Sequence, residues 1–275
     1  MEVEDAVKIY TTSSSATAPE ECRGHVLVSG SYGGEYNAYH AAKFNIRGVV
    51  LSDAGIGKNN AGINGLAYLE AVGLPAATAD ARTCHIGDGD HILEHGIISF
   101  VNKPAADLRC APGQSVRECA DLMRRGGVIS ASLPPIAGGK RYIMRENAGE
   151  RKIVCVDAAP TLLPEDAGAI AITGSHAALF RGQPDAVIGP DVFAVFFNDA
   201  GVGKDDAGIT RLAELDKRKI AAGAVSASSA PIGDSRAIYA DGILSHINGT
   251  AANLGGKPGM RLYDFVEMLV TLPSR

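Results

Sequence analysis

The chain has 275 residues, 46% hydrophobic and 21% charged, with a formal net charge of −5. This length can bury a full core as one large domain or two modest ones, and the acidic balance argues against a nucleic-acid footprint. No run of about 18 apolar residues is present to span a membrane, and the acidic start MEVEDAVKIY has no apolar signal core, so a cytoplasmic protein without membrane attachment is expected.

Taken in chain order, VKIYTT (7–12) reads as an opening strand. HVLVSGS (25–31) is a β-branched run ending in Gly-Ser, the pattern of a buried strand. GGEYNAYHAAKFN (33–45) follows as a helix entered through two glycines. RGVVLSDAG (47–55) is a near-continuous apolar strand of the kind covered on both faces in a parallel sheet. A Gly-rich turn then opens the helix AGINGLAYLEAVG (61–73), which ends on Gly73. LPAATADA (74–81) is a third strand. Two helices are expected to finish the unit, with Ser99 as an N-cap and Pro112-Gly113 before the last helix. A Gly- and Pro-rich connector spans 124–150, with a short strand at Arg141–Arg145. The pattern then returns: KIVCVD (152–157), AIAITGS (169–175), VFAVFFNDAG (192–201) and IAAGAVSA (220–227) are strands, and Ser245 takes the place of Ser99.

That return is an internal duplication. Residues 46–123 align with 192–269 at a constant offset of 146, and 27 of the 78 positions are identical. The strongest block is DAGIGKNNAGI (Asp53 to Ile63) against DAGVGKDDAGI (Asp199 to Ile209). Upstream the offset drops to 144, placing Gly30-Ser31 on Gly174-Ser175. The expected organisation is a first α/β repeat at 1–123, the connector, and a second repeat at 151–275. The fold class is α/β: internally duplicated Rossmann-like βαβ units, a mostly parallel sheet, and a pseudo-twofold relation. Whether the repeats build one sheet or two is not readable.

In open α/β sheets ligands bind outside the carboxyl ends of the strands, and three loops per repeat lie there. The first carries Ser31, Gly33 and Gly34, matched by Ser175. A Gly-rich strand-to-helix turn converges N–H groups and can cradle a carboxylate or phosphate; it can equally be a tight turn that needs glycine. The second places Asp53 or Asp199 at a strand end and Lys58 or Lys204 five residues later. These groups suit acid/base work and anion binding, or an Asp–Lys brace of the strand–helix corner. GxxxxGK[ST] is absent, so Mg-ATP is not supported. The third loop diverges, DARTCHIGDG against SASSAPIGDS, and offers Arg82 in one copy and Ser226 and Ser228 in the other. Cys84 reads as a small buried hydrophobe rather than a nucleophile. The five cysteines form no CxxC pair, and a disulfide framework is not expected. His91 and His95 share a helix face, but solvated histidines are the simpler reading than zinc, and no metal or cofactor is expected.

The functional expectation is an enzyme acting on a small anionic metabolite in a pocket formed by strand-end loops of both repeats. Hydrolysis of an amide or related bond comes first, with Asp53, Asp199, Lys58, Lys204 and Ser226 as catalytic candidates. Ser31, Gly33, Gly34, Ser175, Arg82 and Ser228 are the ligand-binding candidates. The alternatives are an isomerase or racemase using one base per repeat, and a non-catalytic binding or sensor subunit. Homo-oligomerisation is left open.

Overall fold

The apolar runs become strands because their β-branched residues pack on both faces of a sheet, and the helices between them cover those faces. The computed structural model describes residues 6–129, 132–184 and 187–272. Residues 1–5 of the expected first repeat, 130–131 of the connector, and 185–186 and 273–275 of the second repeat lie outside the described residues. The chain divides into two units, 1–54 with 62–136, and 55–61 with 137–275.

The first unit has a five-stranded sheet in the order β1 (Ile9–Thr12), β2 (Val26–Tyr32), β3 (Gly48–Ser52), β4 (Ala76–Ala79) and β5 (Ile98–Val101). The first four are parallel and β5 runs antiparallel to β4. Alternate strand residues face opposite layers. Leu27, Val49 and Leu51 pack with Ala38 and Ala41 of α1 (Glu35–Ala42) and Leu66 and Leu69 of α2 (Gly65–Ala71). Val26, Val28 and Val50 pack with Ile92 of α3 (Gly89–His95), Ala105 of α4 (Lys103–Asp107) and Val116 and Met123 of α5 (Val116–Met123).

The second unit has a six-stranded sheet: β6 (Arg141–Arg145), β7 (Ile153–Val156), β8 (Ile170–His176), β9 (Ala194–Asn198), β10 (Ala221–Val225) and β11 (Leu244–Ile247). Its neighbours follow sequence order, β7 to β10 are parallel, and β6 and β11 are antiparallel edges. One face carries α6 (Arg211–Lys217). The other carries α7 (Ser235–Asp241), α8 (Gly249–Asn253) and α9 (Leu262–Val270). The protein is thus α/β with two mostly parallel sheets of alternating strand–helix units.

Two local expectations are corrected. Ser99 and Ser245 do not cap helices; they lie inside β5 and β11. The caps are Asp88 and Asp234, then Asn102 and Asn248, whose side chains accept N–H groups of the following turn. Asn102 Oδ1 also accepts Ala76 N–H, so one side chain ends a strand, starts a helix and ties both to β4. The second difference lies between β8 and β9. The first unit places α1 after its equivalent strand, whereas here, among the described residues, a single 3₁₀ turn, Phe180–Gly182, follows.

Candidate functional site

The DAGxGK loops carry unusual backbone. Ala54, Gly55, Ile56 and Gly57 all have positive φ, as do Ala200, Gly201, Val202 and Gly203. Gly57 N–H donates to Gly55 O at 2.7 Å, and Gly203 N–H to Gly201 O at 2.7 Å. An i→i+2 bond around a residue at φ +66° (Ile56) or +63° (Val202) is the rare, strained form of γ-turn. Positive φ at a β-branched residue is a genuine outlier. Both loops adopt it, so it is built into the motif.

Segment 55–61 belongs to the second unit and makes its contacts there. A Cβ built on Gly55 would lie 2.9 Å from Gly201 Cα, so the two loops meet where only glycine fits. Lys58 N–H donates to Ala227 O at 2.8 Å. The Lys58 ammonium donates to Ser229 O at 3.0 Å and lies 3.6 Å from Asp241. A pocket of about 510 Å³ opens beside these groups, lined by Gly55 to Lys58, Asp199, Gly201, Val202 and Ser226 to Ser228.

Asp199 is 4% exposed. One oxygen accepts Gly201 N–H and Ala227 N–H, both at 2.9 Å, and the other accepts the Ser245 hydroxyl at 2.8 Å. The carboxylate is held by dipoles, not by an ammonium; Lys204 instead sits 3.2 Å from Asp205. In the second repeat the four residues of strained turn carry Lys204 away from Asp199, and among the described residues the two form no ion pair. Asp53 is buried and accepts Ala81 N–H at 3.0 Å. Ser226 and Ser228 share a hydrogen bond of 2.8 Å between their hydroxyls.

Within the unit that holds residues 55–61, the structure brings Lys58, Asp199, Ser226 and Ser228 to one pocket, and Lys204 and Ser175 are not among its described lining residues. Arg82 is exposed and bound to Asp80, whose carboxyl it holds below the usual range. At the expected cradle, Ser31 to Gly34, protein acceptors take the Ser31 and Gly33 N–H groups. Ser31 N–H donates to Ser29 Oγ, Gly33 N–H to Ser52 O, and Glu35 N–H to Asn64 Oδ1. Gly33 is glycine because a Cβ would lie 2.6 Å from Gly62 O and 2.7 Å from Thr78 Cγ2. Ser175 accepts Ala159 N–H and lines a separate recess at the end of β8, together with His176 and Arg211. Sequence reasoning passed over His176 and Arg211, because in the first repeat their positions are Tyr32 and Gly65.

Burial pushes the Cys84 thiol up to about 12, consistent with an inert core residue. His85 stacks on His91 with ring centroids 3.6 Å apart, and His95 packs against His91 at a tilt, 4.4 Å away. No group of three or more His, Cys, Asp or Glu among the described residues is placed to hold a metal. A larger recess of about 820 Å³ lies at the amino edge of the second sheet, where Arg151 stacks on Phe193. Among the described residues no helix is long and apolar enough to cross a membrane. Comparisons with family models, with curated proteins and with solved structures return no match.

Proposed function

We propose that the protein is a hydrolase acting on a small anionic metabolite, with an amide or related bond cleaved in the pocket where residues 55–58 meet 199–202 and 226–228. The observation that carries this reading is the pair of strained turns. Two β-branched residues are held at positive φ in loops that line one pocket, and such strain collects at working sites because it pre-organises them. Around that frame, Lys58 supplies the positive charge that receives the substrate's anionic group. Ser226 and Ser228 offer hydroxyls for attack or for polarising a carbonyl. Asp199 is a positioning residue, since its three hydrogen bonds fix the loops that carry the serines. An isomerase with one carboxylate base per repeat gains no support here, because both Asp199 oxygens are already occupied.

A second reading, a non-catalytic binding subunit, has one observation in its favour. The hydroxyl bonded to Ser226 is that of Ser228, and a serine nucleophile needs a base beside it. One experiment separates the two. The full chain is incubated with a panel of small carboxylate-bearing amides, lactams and esters, and products are followed by mass spectrometry. Hydrolysis by the wild type that Lys58→Met and Ser226→Ala each abolish, with melting temperature retained, supports the enzyme. Saturable binding with every compound recovered intact favours the binding subunit.

A further inference from the structure

The recess at the end of β8 shares no lining residue with the proposed catalytic pocket. It measures about 270 Å³, and its walls include Pro160, Phe180, Val187 and Ile188. At its base is Arg211, 2% exposed. Arg211 donates from Nη2 to Ala178 O at 2.8 Å, and its ring neighbours are Phe180 and Phe197, 5.5 and 5.1 Å away. Among the described residues its Nε has no hydrogen-bond partner and no carboxylate pairs with the guanidinium. An aromatic face softens the charge but offers Nε no acceptor. A buried guanidinium without a counter-ion is costly, and proteins retain one where a ligand supplies the missing charge.

The other polar groups of the recess are donors too. His176 Nδ1 accepts Ala178 N–H, which leaves the proton of the neutral ring on Nε2. Burial, then the Arg211 charge, lowers His176 to about 3, so the ring is neutral at physiological pH. Ser175 Oγ accepts Ala159 N–H and gives its own proton to no described residue. No Asp or Glu is among the described residues lining the recess. Among the described lining residues, three donors and no acid face an otherwise apolar space.

The duplication shows that this arrangement is specific to one repeat. Gly65 N–H donates to Gly33 O at 2.9 Å, and Arg211 N–H to Ala177 O at 2.7 Å, so the two positions are equivalent in backbone. In the first unit a Cβ at Gly65 would meet Gly33 O at 2.7 Å and Ala38 Cβ of α1 at 2.8 Å. There the helix fills the space. Among the described residues of the second unit a 3₁₀ turn stands where that helix would be, and an arginine takes the glycine's place.

We propose that this recess binds a small carboxylate with a short apolar tail, anchored by the Arg211 guanidinium and sealed by the Phe180, Val187 and Ile188 walls. A planar guanidinium matches a carboxylate, and the volume, at the low end for ligand sites, suits a molecule of few heavy atoms. Apolar walls disfavour a bare phosphate, which would leave most of its oxygens without donors.

The test uses the full chain with isovalerate and benzoate as probes, isovaleramide and benzamide as neutral isosteres, and inorganic phosphate as a tail-less anion. At least one carboxylate raises the melting temperature saturably, its amide does not, and phosphate binds at least about tenfold more weakly. Arg211→Lys weakens carboxylate binding about tenfold or more. Ile188→Trp fills the recess from its half-buried wall and abolishes binding while Arg211 stays, so the test survives if Arg211→Lys fails to fold. The proposal is overturned if neither carboxylate gives a saturable shift, if acid and amide bind alike, or if Ile188→Trp leaves binding unchanged. Asp185 lies outside the described residues; if Asp185→Asn destabilises the free protein as much as Arg211→Lys does, the arginine has an internal counter-ion and the proposal also falls.

Discussion

At the residue scale, two buried polar side chains, Asp199 and His176, and one strained turn residue, Val202, carry measurable consequences. Asp199 accepts three hydrogen bonds while almost fully buried. Removing it leaves two backbone N–H groups without their acceptor, each a desolvation penalty, while the Ser245 hydroxyl can still donate to Ala224 O. Asp199→Ala should therefore lower unfolding stability by about 3 kcal/mol in urea titration, and Asp199→Asn, which keeps one acceptor oxygen, by clearly less. Val202 presents the opposite case. A left-handed conformation costs an L-residue about 1–2 kcal/mol, so Val202→Gly should raise the melting temperature despite the loss of a side chain. A fall in melting temperature would mean that the turn is not strained. His176 gives a pH signature. Its folded pKa, about 3, lies below the ordinary 6.5, so the unfolded chain binds the proton more readily between those values. Its contribution is fully present above pH 6.5 and is lost as pH falls toward 3, by up to about 1.4 kcal/mol per pH unit. His176→Asn should flatten that limb of the stability profile by one proton; an unchanged slope would place the titration elsewhere.

At the element scale, the strands were legible and the edges were not. Runs such as RGVVLS and VFAVFFN name buried parallel strands by composition alone, and β3 and β9 sit there. The segment around Ser99 misled because a Ser before a helix is a common cap, while its role as a strand residue depends on Thr78, 21 positions away, whose hydroxyl it meets. The lysine of DAGxGK misled similarly: Lys58 finds its partner at Ser229, 171 positions on, and no local pattern announces that. Gly33 is a clearer lesson. Its glycine was read as a cradle or a turn, and its tightest constraint is the approach of Gly62 O and Thr78 Cγ2. Neither neighbour is the end of a long flexible chain, so Gly33→Ala should lose about 1–3 kcal/mol by overpacking. The equivalent Ala177 in the second unit carries its methyl buried, where Ala224 stands in the place of Thr78 and offers no Cγ2. An unaffected melting temperature for Gly33→Ala would show that β2 and α2 can separate without loss.

At the scale of the whole molecule, the repeat seen in the sequence and the units seen in space do not share boundaries. The turn 55–61 is part of the first repeat by sequence, yet its contacts place it with the second unit. Its ties there are specific: Lys58 N–H to Ala227 O, Lys58 Nζ to Ser229 O, and Gly57, whose added Cβ would sit 3.2 Å from Ala227 O. Gly57 has φ +68°, so a substitution there adds strain as well as volume. Hydrogen exchange reports local opening by region, and this assignment dictates where the damage should fall. Gly57→Val should speed exchange in peptides covering 226–230 and in the turn itself, by about tenfold for each 1.4 kcal/mol lost locally. Peptides covering 76–79 of β4 should keep wild-type protection, since the first sheet draws none of its strand hydrogen bonds from residues 55–61. If protection is lost in β4 and retained at 226–230, the turn belongs energetically to its own repeat, and the pocket built on its contact with Ala227 has no rigid wall.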